Sequence, residues 1–306
     1  MTRALVITNP AAARTEPGVV TTIMETLRAG GWQAELAATG GPGDARRLAD
    51  VAVTQGMDTV VVFGGDGTTM QAAAALVGTP VVLGLIPGGT GNLLAGNLRI
   101  PNNPAKAAAT LLTSRPRRID LGRMERPDGV HYFAVACGAG YDARVMAETP
   151  AAQKRKWGMG AYVATTLRLI GDLRNADYLI TVDGKEYDAH AAMVLVANCG
   201  EVIPRYVRLG PGISPEDGLL DVVVMRADSF VQGVRAVWDL LRSSGLGTGG
   251  AFVGFARGRE IRLEATPAQP AQLDGEPGGM TPFTATVVPG AIEVLAPQVA
   301  GSRGSG

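Results

Sequence analysis

The sequence predicts an α/β domain with a doubly wound, mostly parallel sheet, followed by a β-rich, mostly antiparallel domain. Three observations predict it. Short apolar runs alternate with helical patterns through the first third of the chain. The runs at 59–63 and 81–86 show no polar alternation. Strand-like segments then dominate after the basic, proline-containing stretch at 115–118. Strands alternating with helices build a parallel sheet, whose ligands bind beyond the C-terminal ends of the strands.

Residues 4–8 read as the first strand, 18–29 as a helix and 33–38 as the second strand. A second helix is expected over 45–55, N-capped by Asp44 and stopped by Gly56. Residues 59–63, Thr-Val-Val-Val-Phe, are β-branched and apolar throughout, as suits a strand covered on both faces. Residues 81–86 form the next buried strand. Beyond 118, strands are expected at 119–124, 131–136, 178–182, 192–197, 219–225, 260–263 and 291–295, and helices at 162–174 and 231–242. The domains therefore divide as 1–118 and 119–298, with 299–306 a linker-like, disordered tail. No internal repeat is present.

Composition excludes several classes. The 306 residues carry 28 basic and 28 acidic side chains, so the formal charge is zero and no basic excess points to nucleic acid. Charged residues are 18% and apolar residues 46%, a balance that folds rather than stays disordered. Cys137 and Cys199 form no CxxC pair, and with only His131 and His190 to join them a zinc site is not expected. Both histidines lie in strand-like runs and read as structural. Gly78, Pro80, Gly84 and Pro87 interrupt the best apolar run, so no membrane span is expected. The first apolar stretch ends too early, at Pro10, for a secretory signal, which favours a cytoplasmic location.

The sharpest local signal is Gly64-Gly65-Asp66-Gly67-Thr68, directly after the strand ending at Phe63. Glycines let main-chain N–H groups approach an anion, and the helix that follows offers its positive end to phosphate. Asp66 could hold magnesium or its waters, or fix the loop by hydrogen bonds. A plain strand-to-helix turn accounts for one or two of these glycines, but less well for three with an Asp and a Thr. A second loop, Pro87-Gly88-Gly89-Thr90-Gly91-Asn92, follows the next strand, and the two loops make one pocket. Thr90 and Asn92 suit phosphate or ribose recognition, and either could also cap a helix. No GxxxxGK[ST] is present, and the first lysine is Lys106. The GxGxxG at 245–250 follows a predicted helix rather than a strand, which makes it a helix end and connection.

At these residues the chain resembles the diacylglycerol kinase catalytic-domain family, which includes bacterial lipid kinases and sphingosine and ceramide kinases. The resemblance runs through Asn9-Pro10, Thr39, Gly43-Asp44-Ala45 and both glycine loops. It continues at residues 138–143, at residues 215–222 and at Leu273-Asp274-Gly275-Glu276. GGDGT is shared with NAD kinases and phosphofructokinases; its combination with PGGTGN, DGLLDV and LDGE in this order is specific. The resemblance implies a phosphofructokinase/NAD kinase-like nucleotide-binding domain joined to a β-rich lipid-substrate domain, with ATP in a cleft and a lipid hydroxyl as acceptor. Carried over by position, Asn9, Thr39, Gly64, Gly65, Asp66, Gly67, Thr68, Thr69, Met70, Gln71, Gly89, Thr90 and Asn92 would serve ATP. A structural magnesium would fall at Ser214, Asp217 and Leu219, although Asp217-Gly218 alone is equally a hairpin turn. A homodimer is the family-level expectation.

Asp274 and Glu276 are the expected chemical groups, with Asp66. Phosphoryl transfer needs a positioned hydroxyl, a base for its proton and cations to spread phosphate charge. The resemblance makes one of Asp274 and Glu276 the proton acceptor and leaves open which; without it, the pair reads as a solvated β-turn. Two departures stand out. Many relatives continue GGDGT with an Asn-Glu pair where this chain has Met70-Gln71, and many have Asp where Leu93 follows Asn92. To reach a lipid at a membrane surface, the run Lys154-Arg155-Lys156-Trp157-Gly158-Met159 offers three cations beside an aromatic ring, a pattern that also fits a solvated charge cluster. The leading expectation is an ATP- and magnesium-dependent lipid kinase. An NAD kinase with a soluble acceptor and a nucleotide-binding sensor without catalysis are the competing readings.

Overall fold

The computed structural model describes residues 1–126, 129–140, 143, 175–203, 207–209, 212–226 and 252–298. The helices expected at 162–174 and 231–242, the basic run at 154–159, the glycine run at 245–250 and the tail from 299 lie outside the described residues. The chain divides into two units. One comprises Met1–Ile119 with the chain from Ile292 onward, and the other is Asp120–Ala291.

The first unit runs β1 (Arg3–Thr8), α1 (Pro17–Ala29), β2 (Gln33–Ala38), α2 (Asp44–Thr54), β3 (Thr59–Gly64), α3 (Asp66–Leu76), β4 (Val82–Pro87), α4 (Leu93–Asn97) and α5 (Pro104–Leu111). Its strands lie in the order β2-β1-β3-β4 and are all parallel, with Ala4 beside both Ala34 and Thr59. The chain moves one way from β1 to β2 and the other way to β3 and β4. Right-handed crossovers then put α1 on one face of the sheet and α2 with α3 on the opposite face. β3 is buried at all six positions, which is why its sequence shows no polar alternation. Beyond the C-terminal ends of β1 and β3 the strand order reverses, the place where open α/β sheets bind ligands.

Local chemistry sets the helix boundaries. α1 opens on Pro17 and buries Ile23, Met24 and Leu27 along one stripe. α2 begins one residue before its expected start. Gly43, at φ 84°, is its N-cap, and Asp44 is its first helical residue. The Asp44 carboxylate accepts the Gly40 N–H at 2.7 Å instead of capping the helix, and so closes the loop after β2. Both the Gly40 N–H and the Arg47 guanidinium favour its charged form and hold its carboxyl below the usual range.

The second unit contains most of β5 (Arg115–Arg126), then β6 (Gly129–Phe133), β7 (Ala136–Gly140), β8 (Ala176–Val182), β9 (Lys185–Ala191) and β10 (Met193–Ala197). After the short ribbon β11 (Glu201–Ile203) and β12 (Val207–Arg208) come β13 (Leu220–Met225), β14 (Phe252–Gly258), β15 (Glu260–Thr266), β16 (Pro270–Leu273), β17 (Glu276–Met280) and β18 (Phe283–Ala296). One sheet has the order β14-β13-β10-β7-β16-β17, antiparallel throughout. β15, β8 and β9 pair antiparallel in the other. Alternate residues of both face one core: Tyr178, Ile180, Ile261 and Leu263 from one, Val194, Val196 and Val222 from the other.

The strands at 185–191, 252–258, 270–273 and 276–280 were not expected from the sequence, and two further findings differ from the expectations. The strand expected over 131–136 is split between β6 and β7, because the Ala134, Val135 and Ala136 N–H groups turn toward one carboxylate described below. The second half of β18 returns to the first unit, where Val294 lies parallel to Leu83 and Glu293 pairs with Arg118 at 3.0 Å. Among the described residues no helix is long and apolar enough to cross a membrane.

Candidate active site

In the first unit, the opening turns of α3 tie together the loops that follow β1, β2 and β4. Asp66 accepts the Asn92 N–H at 2.7 Å and the Leu93 N–H at 2.6 Å. Thr68 Oγ1 accepts from Asn9 Nδ2 at 3.0 Å, and Gln71 Oε1 accepts the Gly43 N–H at 3.1 Å. Asp66 therefore fixes the second glycine loop by hydrogen bonds. Gln71 acts through an acceptor oxygen that a carboxylate would supply equally, and Leu93 acts through its main chain.

Asn92 occupies the N-cap position of α4 in a left-handed conformation but does not cap it. Its buried side chain accepts the Gly89 N–H at 3.0 Å and donates to the Gly89 carbonyl at 2.8 Å, bracing the second loop from inside. The loops meet main chain to main chain: a Cβ on Gly89 would stand 2.5 Å from the Gly65 Cα. Thr39 sits at the end of β2, its N–H on the Thr8 carbonyl at 2.9 Å. Gly64 ends β3, Gly65 caps α3, and Thr68 and Thr69 are buried in its first turn.

Gly67 is different. It is exposed, has no positive φ, and a Cβ there would meet nothing within 4 Å. Neither packing nor conformation requires glycine at this position in the free protein. The first N–H groups of a helix lack intrahelical partners, and Gly67 places no side chain over the first turn of this eleven-residue helix.

In the second unit, Asp274 and Gly275 form the turn between β16 and β17, with φ of 46° and 84° and Leu273 paired to Glu276. Two positive-φ residues in a two-residue hairpin are the Asp-Gly signature of a tight turn. The turn sends the two carboxylates into different surroundings. Asp274 turns inward and accepts N–H groups from Ala134, Val135 and Ala136 at 2.7, 2.8 and 3.0 Å. Burial pushes its carboxyl up, and those three donors oppose the shift. Glu276 is exposed. The pair thus sits on a tight turn, with Glu276 exposed and Asp274 partly buried.

The expected magnesium loop is held by protein groups. Asp217 Oδ1 accepts the Leu219 N–H at 3.1 Å, and its Oδ2 lies 3.7 Å from Arg257 Nη1. Arg257 also grips both oxygens of Asp221, at 2.8 and 3.1 Å, and donates to the Gly212 carbonyl at 2.8 Å. Among the described residues no three of His, Cys, Asp and Glu gather as a metal site. Oxygen donors suit magnesium, but each carboxylate oxygen here already faces a donor. The carboxylate of Asp217 is therefore already engaged by protein groups.

One residue escaped the sequence analysis. Asp120 is 3% exposed and accepts the Gly218 and Gly290 N–H groups, each at 2.7 Å, so it ties the 212–219 loop to the middle of β18. Its signal was available: a lone carboxylate between Ile119 and Leu121 in an apolar strand is rarely buried without partners.

With this geometry in view, the chain can be set beside known proteins. Residues 3–124 match the model of the diacylglycerol kinase catalytic domain, and residues 135–296 match that of the YegS C-terminal NAD kinase beta sandwich-like domain. A Mycobacterium tuberculosis protein named diacylglycerol kinase is 30% identical over 83% of this chain and 82% of its own length. The chain belongs to the diacylglycerol kinase family. Another relative, the "Probable lipid kinase YegS-like" of Chromohalobacter salexigens, is 31% identical over 84% of this chain and 81% of its own length. The crystal structure of a diacylglycerol kinase from Bacillus anthracis shares the fold, with a TM-score of 0.75 at 21% identity over 96% of both chains. Membership of this kinase family makes the chain a phosphotransferase, and the α/β unit with a β-rich partner is the family's architecture.

Proposed function

We propose that the protein is an ATP-dependent lipid kinase that transfers the γ-phosphoryl group to a hydroxyl of diacylglycerol or a related lipid. The observation that carries this reading is Gly67, a glycine the free protein does not need, at the head of α3 in a chain of this family. The N–H groups of that turn bind phosphate, and the loops tied to Asp66, Thr68 and Gln71 keep the turn in place. Magnesium arrives with ATP as part of the substrate and spreads the phosphate charge.

Glu276 is the proton acceptor in this reading. It is the exposed member of the LDGE pair, whereas three main-chain donors already engage Asp274. As the lipid oxygen bonds to phosphorus, the bond from phosphorus to the bridging oxygen breaks, ADP leaves, and the hydroxyl proton passes to Glu276. Asp274 is a positioning residue that fixes the turn from which Glu276 projects. The lipid is reached by peripheral contact with a membrane surface.

The test is transfer of radiolabelled γ-phosphate from ATP with magnesium to a lipid panel in detergent micelles, with NAD assayed in parallel. Label in the organic phase that is lost in Glu276→Gln supports the reading. Label on NAD, or ATP binding with no transfer to any acceptor, overturns it.

A further inference from the structure

The loop at 212–219 carries a cation of its own. Three carboxylates, Asp120, Asp217 and Asp221, surround it. Two oxygens of Asp120 take main-chain N–H groups, and one of Asp217 takes the Leu219 N–H. The remaining three face a single guanidinium, that of Arg257 on β14. The same guanidinium takes the Gly212 carbonyl. A planar fork with five donors can satisfy carboxylate and carbonyl oxygens at once, which a lysine ammonium does with less geometric control.

We infer that Arg257 replaces a structural divalent cation in this protein, so that the 212–219 loop keeps its shape without magnesium. Carbonyl and carboxylate oxygens around a loop are what a hard cation would collect. Here N–H groups collect them, and the positive charge is fastened to the neighbouring strand by the chain itself. A dication sharing Asp217 would have to stand against that guanidinium. The loop is therefore indifferent to the free magnesium concentration, and magnesium dependence enters only with the nucleotide.

The test uses the intact protein without nucleotide. Thermal unfolding is compared in EDTA and in millimolar MgCl2 at matched ionic strength, and Mn2+ binding is followed by electron paramagnetic resonance. The parent chain is expected to melt at one temperature in both buffers and to hold no tightly bound Mn2+. Arg257→Gln leaves Asp217 and Asp221 facing each other without a cation, so it should melt about 4 °C lower in EDTA. Part of that loss should return on adding MgCl2. Arg257→Lys keeps the charge without the fork and makes the same comparison should the glutamine variant not fold. A magnesium-dependent rise in the melting temperature of the parent, or a Mn2+ site removed by Asp217→Asn, would overturn the inference. So would an Arg257→Gln chain as stable as the parent in EDTA. No readout uses phosphoryl transfer, so these outcomes are separate from the fate of the kinase reading.

Discussion

Asp66 holds the main-chain N–H of Asn92 at 2.7 Å, so the first residue of α3 fixes the turn that precedes α4. The second oxygen of the same carboxylate holds Leu93. Asp66→Asn keeps the shape but has only one acceptor oxygen, leaving an amide group against an N–H. A cost of about 1–3 kcal/mol is expected, together with weaker ATP binding. Thermal melting gives the first quantity, and faster hydrogen exchange at the Asn92 and Leu93 amides would place the damage in this loop.

Gly67 and Gly89 should respond oppositely to the same added methyl group. Gly67→Ala is expected to stabilise the free protein by about 0.5 kcal/mol, since alanine favours the helix and nothing lies in its way. It should still raise the KM for ATP about tenfold, a loss of about 1.4 kcal/mol of binding. Gly89→Ala must push apart two main chains and should lower the melting temperature. Equal melting temperatures for the two variants would contradict the packing described.

The two LDGE carboxylates should separate by their failures. Asp274→Asn loses acceptor capacity for three N–H groups and should cost about 3 kcal/mol of stability, lowering activity through a damaged turn. Glu276→Gln is an exposed substitution, expected to change stability by less than about 0.5 kcal/mol while reducing kcat by about 10²-fold or more. Paired melting curves and steady-state kinetics decide this.

Acid titration supplies an independent check on Asp274. Burial raises its carboxyl above the ordinary 3.8, so the folded chain keeps that proton to a higher pH than the unfolded chain does. Its contribution to stability is fully present below 3.8 and diminishes as pH rises to the folded value. Measured from acid to neutral pH, the stability of the parent relative to Asp274→Asn should therefore fall. A difference that grows with pH would show that the three N–H donors outweigh burial.

β1, β3 and β4 were legible because parallel strands covered on both faces write themselves as apolar runs, as residues 59–63 do. The two glycine loops were legible because close main-chain approach leaves glycine at Gly88 and Gly89. The partners of Asp274 were not, since it bonds main-chain N–H groups about 140 residues away, which any residue type but proline can supply. The Arg257 pairing was hidden for a similar reason. Thirty-six residues separate it from Asp221, and antiparallel register alone brings Asp221 opposite Arg257. The run at 219–225 had placed the strand of Asp221, but neither the strand of Arg257 nor the pairing of the two was legible.

The return of β18 to the parallel sheet has a consequence for biosynthesis. Until Val294 is made, β4 lacks its neighbour on that side, and β4 is buried at five of its six positions. Exposed edges of this kind invite pairing with other chains. The half of the molecule translated first is thus the half finished last, and a nascent chain that stalls before β18 carries a nearly complete α/β unit with one sticky border. Ribosome-bound chains arrested before and after this strand should differ sharply in aggregation and protease resistance.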